Sequence, residues 1–157
     1  IVRGPYTIQG YYRAPEANRH AVTEDGYYRT GDIARIVCGD RIQVCGRIKE
    51  QINRAGEKIA PVEVETVLRT HPLITDAAVV GVKYDDLGER ICAWIMTDGA
   101  EVSLAAVYAF FEASGVARFK YPDQLEQLDV WPVTSVGKVD KRKLSAMAEE
   151  RYAGRKV

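Results

Sequence analysis

Ala77-Ala78-Val79-Val80-Gly81-Val82 and Ile91-Cys92-Ala93-Trp94-Ile95-Met96 decide the fold class. Neither run alternates apolar with polar residues. A strand with one wet face would alternate, so both runs read as strands covered on both faces. The flanking sequence offers helices that alternate with these strands. Pro61 opens one helix, whose apolar side is Val62, Val64, Val67 and Leu68 and which ends at His71-Pro72. Leu104, Val107, Tyr108 and Phe111 recur at helical spacing, with Ser103 as N-cap and Ser114-Gly115 as the stop. Leu125–Val130 reads as a short strand. Asp140 can cap a last helix running through Arg151. From about residue 50 onward the pattern is therefore an α/β layer domain.

Upstream the character differs. The first third reads as β-rich: Tyr6–Tyr12 is aromatic and β-branched, and Tyr27–Asp32 leads into Ile33–Val37. Cys38-Gly39-Asp40 makes a turn into Arg41–Cys45, a hairpin signal. Pro15 starts a short helix. The polar stretch Gly46–Gln51 marks a boundary.

Composition narrows the function classes. The 157 residues carry 22 Lys+Arg and 22 Asp+Glu, so the net charge is zero and nothing marks a general nucleic-acid binder. No apolar run reaches the roughly 18–20 residues of a membrane span. The length suits one ordinary domain or a piece of something larger, and the chain starts at Ile1 without Met, signal peptide or basic leader. Three cysteines (Cys38, Cys45, Cys92) form no CxxC and read as reduced thiols; a Cys38–Cys45 bridge across the hairpin is the minor alternative. The two histidines, His20 and His71, have no metal-ligand spacing, so no metal site is expected among these residues.

Several residues admit two readings. Thr134-Ser135-Val136-Gly137-Lys138 is not a phosphate loop: Pro132 stands where Gly is required and Val139 where Ser or Thr is required. Lys138 is a solvated turn lysine, or a point charge on a flexible stem delivered to an anion. Asp32, in Tyr28-Arg29-Thr30-Gly31-Asp32, caps its own turn or accepts hydrogen bonds from sugar hydroxyls. Arg47 is a surface ion-pair partner or a ligand contact. Gly56 supplies a positive φ or a close backbone approach. Glu63 and Glu65 suit the dipole at the start of their helix.

Taken in order, these segments resemble the adenylate-forming superfamily over nearly the whole chain. Gly10-Tyr11-Tyr12 with Pro15-Glu16, Tyr28–Asp32, Gly46–Gln51, Phe119–Pro122 and Pro132–Asp140 match five of its motifs in register. Gln51–Ala60 and Arg3–Thr7 resemble the stand-alone aryl-acid ligases of siderophore synthesis, which usually carry Gly-Gly where this chain has Ala55-Gly56. The resemblance implies the β-rich end of a large domain over 1–48 and a small mobile α/β lid over 49–157, hinged at Lys49, where the family usually has Asp. It implies ATP with Mg²⁺, an aryl acid (salicylate or 2,3-dihydroxybenzoate), a phosphopantetheinyl aryl carrier protein, and a cytoplasmic enzyme. Asp32 and Arg47 would hold the ribose, Lys138 would be the adenylation lysine, and Gly56 would lie on the pantetheine path. The phosphate loop and acid pocket would lie upstream of Ile1, so the chain alone is expected to be inactive. Acyl-CoA ligases, amino-acid adenylation domains and a non-catalytic carrier-binding fragment are the alternatives. For the last, residues 138–157 carry seven Lys/Arg against three Asp/Glu, a local +4 that suits an acidic partner. A solvated helix face explains the same charges.

Overall fold

The computed structural model describes residues 1–84 and 88–152. They form two compact units, Ile1–Lys49 and the residues from Glu50 onward.

In the first unit, helix α1 (Pro15–Ala21) precedes an antiparallel hairpin of β1 (Asp32–Val37) and β2 (Arg41–Arg47). Tyr6–Tyr12 is not a strand, contrary to its composition. Among the described residues no strand pairs with it. Instead the Asn18 side chain accepts from the Tyr11 amide at 2.6 Å and donates to the Tyr11 carbonyl at 2.9 Å, taking the place of a ladder. Cys38 lies in the hairpin turn and Cys45 near its base, and both thiols are free.

In the second unit, β3 (Ile52–Arg54) and β4 (Glu57–Ile59) form a tight hairpin ahead of helix α2 (Pro61–Leu68). Strands β5 (Asp76–Tyr84) and β6 (Gly88–Met96) pair antiparallel along their whole length, from Asp76↔Met96 to Tyr84↔Gly88. Helix α3 (Leu104–Ala113) then returns the chain to β7 (Gln124–Gln127), which runs parallel to β6. Strand β3 meets β6 at Arg54↔Gly88. Helix α4 (Lys141–Tyr152) closes the described residues.

The two apolar runs are buried on both faces. Ala77, Val79, Ile91, Ala93 and Ile95 point into a core with Val64 and Leu68 of α2 and Val107 and Phe111 of α3. Ala78, Val80, Val82, Cys92 and Trp94 point the other way, onto Leu144 and Ala148 of α4. Trp94 and Leu144 are fully buried; each large apolar side chain removed from water contributes about 1.5–3 kcal/mol. The Ser103 hydroxyl accepts from the Ala106 amide and caps α3. Strand β7 starts at Gln124 and stops at Gln127, so Asp129 and Val130 lie beyond it.

Candidate functional site

Asp32 and Arg47 occupy the first position of the β1–β2 ladder and are direct cross-strand partners. Arg47 Nε donates to Asp32 Oδ1 at 2.9 Å. The Thr30 hydroxyl accepts from the Asp32 amide at 3.1 Å, and the Ile48 amide donates to the Gly31 carbonyl at 2.9 Å. These bonds fix the turn that presents the pair. The contact uses one carboxylate oxygen and one guanidinium nitrogen. The second oxygen of Asp32 and the two terminal nitrogens of Arg47 have no partner among the described residues. Asp32 is thus bonded through both its backbone and its side chain, and its free acceptor lies beside free donors. Nearby, the hydroxyls of Tyr28 and Tyr11 are 2.8 Å apart; that bond, foremost, raises the Tyr28 phenol above its ordinary range.

Lys138 belongs to the second unit, on the turn that enters α4. The Thr134 amide donates to the Lys138 carbonyl at 2.8 Å, and the Gly137 amide donates to the Thr134 carbonyl at 2.9 Å. The Thr134 hydroxyl accepts from the Lys138 amide at 3.2 Å. Val133 and Val139 form a β-bridge at the base of the turn. Gly137 has φ +78°, a conformation that favours glycine. Asp140 Oδ1 accepts from the amides of Arg142 and Lys143, both at 3.1 Å, capping α4 as its position suggested. The backbone of Lys138 is therefore fixed, while its exposed ammonium has no partner among the described residues.

Lys141, three residues on, differs. Its ammonium lies 2.7 Å from Glu65 Oε1 and 3.3 Å from Glu50 Oε2. Glu65 is only 6% exposed, and the same oxygen accepts from the Val79 amide at 2.9 Å. The two glutamates at the start of α2 therefore differ in surroundings. Glu63 is exposed and reaches Lys120, whereas Glu65 turns into the core. Glu65 stands beside Val64 and three residues before Leu68, on the apolar side of α2, and that position was the available signal.

Gly56 lies in the β3–β4 turn with φ +90°, and Ala55 before it has φ +51°. The two positive values match a type I′ hairpin turn. Arg54 anchors the hairpin: Nη2 is 2.6 Å from Asp123 Oδ1, and Nη1 donates to the Phe119 carbonyl at 3.0 Å. Asp123 Oδ2 also accepts from the Ile91 amide at 2.8 Å. No local pattern marks this anchor, because its partners are 69 residues apart. Lys49 is exposed in a single 3₁₀ turn over Ile48–Glu50 and closes the first unit. Of the basic tail, Arg142 and Lys143 are exposed; Arg155 and Lys156 lie outside the described residues. Among the described residues no three His, Cys, Asp or Glu side chains converge as a metal site, and no helix is long and apolar enough to cross a membrane.

Comparison with known proteins matches residues 63–138 to the AMP-binding enzyme C-terminal domain. The chain is 52% identical over 148 residues to Triostin synthetase I of Streptomyces triostinicus, covering 94% of the chain and 28% of that protein. It is 47% identical over 155 residues to 2,3-dihydroxybenzoate-AMP ligase of Bacillus subtilis (strain 168), covering 98% of the chain and 29% of that protein. Among solved structures, ATP-bound MatB from Rhodopseudomonas palustris superposes with a TM-score of 0.86 at 30% identity, over 96% of this chain and 30% of that one. The chain thus spans less than a third of the length of these relatives.

Proposed function

The chain carries the C-terminal domain of the AMP-binding enzymes, and from that premise we propose that it works as the C-terminal part of an aryl-acid–AMP ligase of siderophore synthesis. The acid is salicylate or 2,3-dihydroxybenzoate, and the product is delivered to an aryl carrier protein in the cytoplasm. The likeness to 2,3-dihydroxybenzoate-AMP ligase over 98% of the chain supports this acid class. The single observation that carries the reading is the ammonium of Lys138: unpaired among the described residues, it sits on a turn clamped at both ends, whereas Lys141 is committed to two carboxylates.

In the first half-reaction a carboxylate oxygen of the acid attacks the α-phosphorus of ATP. The bond from phosphorus to the bridging oxygen breaks, and pyrophosphate leaves with the electron pair. Negative charge builds on the oxygens around the α-phosphorus, and Lys138 lies against it. A preorganised cation in a water-poor site stabilises such charge more than it stabilises the substrate. Asp32 accepts from the ribose hydroxyls through its free oxygen. Arg47 holds Asp32 in orientation and offers its terminal nitrogens to the same sugar. Mg²⁺, when bound, offsets the charge of the phosphates; no residue of this chain is assigned to hold it, because no described cluster fits a metal.

In the second half-reaction the pantetheine thiol attacks the acyl carbon. The acyl–oxygen bond breaks, AMP leaves, and the thiol proton passes to water. Rotation about Lys49 withdraws Lys138 and brings the Ala55-Gly56 turn to the pantetheine path, so that one site serves two reactions. Identity to a relative named for triostin leaves the acid to be decided by experiment. In the complete enzyme, ATP–pyrophosphate exchange should depend on salicylate or 2,3-dihydroxybenzoate. Exchange supported only by amino acids or fatty acids would overturn the assignment.

A further inference from the structure

Lysine is a poor choice for the first residue of a helix. The amino end of the helix dipole is positive, and a cation there is repelled. Helix α4 nevertheless begins with Lys141. Its ammonium is 2.7 Å from the buried carboxylate of Glu65 and 3.3 Å from that of Glu50. Glu65 in turn accepts from the amide of Val79 in the middle of β5. A carboxylate so far removed from water requires a partner, and Lys141 is the nearest one; Arg69 Nη2 stands 3.9 Å away.

The consequence concerns the turn just before the helix. Backbone bonds close the 133–139 turn on itself, and the Asp140 amide donates to the Pro132 carbonyl at 2.7 Å. These bonds give the turn its shape, but they do not fix where the turn sits on the second unit. Trp131 and Val139 seat the turn's two flanks on the core around Trp94, with the Trp131 indole nitrogen donating to Asp76 Oδ2 at 2.8 Å, and the first turn of α4 holds the side that leads into the helix. The later part of the helix is held by Leu144 and Ala148 packing on Trp94 and its neighbours. At the helix start the polar contact is the ammonium of Lys141, next to Val139 packed on the same cluster. Glu50, the other partner, directly follows Lys49 in sequence.

We propose that Lys141 is a positioning residue for Lys138: clamped between Glu65 and Glu50, it fixes the start of α4 against α2 and the residue after Lys49, so that Lys138 is carried as part of a rigid body. This rests on the role given to Lys138 above. Lys141 touches no substrate in this scheme.

Two measurements test it. On the 157-residue chain, amide hydrogen exchange over residues 134–138 should quicken in Lys141→Met and return to the parent rate in Lys141→Arg, while β5 and β6 keep their protection. In the complete enzyme, Lys141→Met should lower kcat for ATP–pyrophosphate exchange by about tenfold to a hundredfold, the usual effect of a misplaced reacting group. Thioester formation from supplied aryl-adenylate and the KM for ATP should stay within about twofold, since no uniform binding is lost. Lys141→Arg should restore most of the exchange rate. Unchanged amide exchange over 134–138 in a Met variant that keeps its sheet protection would overturn the proposal. So would equal losses in both half-reactions. If Lys138→Ala itself leaves pyrophosphate exchange intact, the role of Lys138 fails, and the amide exchange still decides the clamp.

Discussion

Replacing Glu65 by Ala should be far more damaging than replacing Glu63, although the two stand two residues apart in the first turns of one helix. Glu65→Ala leaves the buried amide of Val79 without an acceptor, a cost of about 1–3 kcal/mol. It also removes the main partner of Lys141. Breaking a fully buried ion pair costs about 3–5 kcal/mol. The Lys141 side chain is 30% exposed and keeps Glu50, so only part of that applies. The sum is about 3 kcal/mol. Glu63 meets Lys120 at 2.6 Å with its side chain 47% exposed, and such surface pairs are worth about 0–1 kcal/mol. Urea unfolding followed by tryptophan fluorescence isolates the relevant unit, because Trp94 and Trp131 both belong to it. With a slope of about 2 kcal/mol/M, the midpoint should fall by about 1.5 M for Glu65→Ala and by less than about 0.5 M for Glu63→Ala. Equal shifts would refute the separation of these two glutamates into a core anchor and a surface pair.

Ala55→Gly should stabilise the second unit by up to about 1 kcal/mol, read as a raised urea midpoint: an L-residue at φ +51° is strained by about 1–2 kcal/mol, and glycine returns part of that in backbone entropy. A thiol reagent at pH 8 should label Cys38 and Cys45 in the native chain and spare Cys92, whose thiol is pushed up to about 12 chiefly by burial; rapid labelling of three thiols would contradict its burial. Burial alone would raise the Asp76 carboxyl, but hydrogen bonds from Arg69, the Ala77 amide and Trp131 outweigh it and hold the group below its ordinary 3.8. A depressed carboxyl stabilises the fold above the ordinary carboxylate range and loses that contribution as pH falls through its folded pKa. Asp76→Asn should therefore lower Tm at pH 7, and the gap to the parent chain should narrow at pH 3; a gap independent of pH would contradict the shift.

The core was legible because hydrophobic periodicity is a local signal. The runs at 77–82 and 91–96 carry no polar face, and the structure buries both of their faces. Ser103 and Asp140 were legible as caps because a capping oxygen needs only the two or three amides that follow it. The β3–β4 hairpin was not. Its strands have three residues each, too few for alternation to show. Tyr6–Tyr12 misled for the opposite reason: strand composition without a pairing partner does not make a strand. At the candidate site, Asp32, Arg47 and Lys138 were visible as types and spacings, each with a bland reading beside it. Local sequence could not supply their partners. The pairing of Asp32 with Arg47 depends on hairpin register, and the contrast between free Lys138 and clamped Lys141 depends on a glutamate 76 residues away.

Lys138 is proposed to serve the adenylation step and to leave the site before thiolation. This role is tested most directly by measuring both half-reactions in the complete enzyme carrying Lys138→Ala. ATP–pyrophosphate exchange should fall by about a hundredfold or more, the scale of removing a transition-state charge partner, with thioester formation from supplied aryl-adenylate almost unchanged. Equal losses in the two half-reactions, or none in the first, would contradict this role.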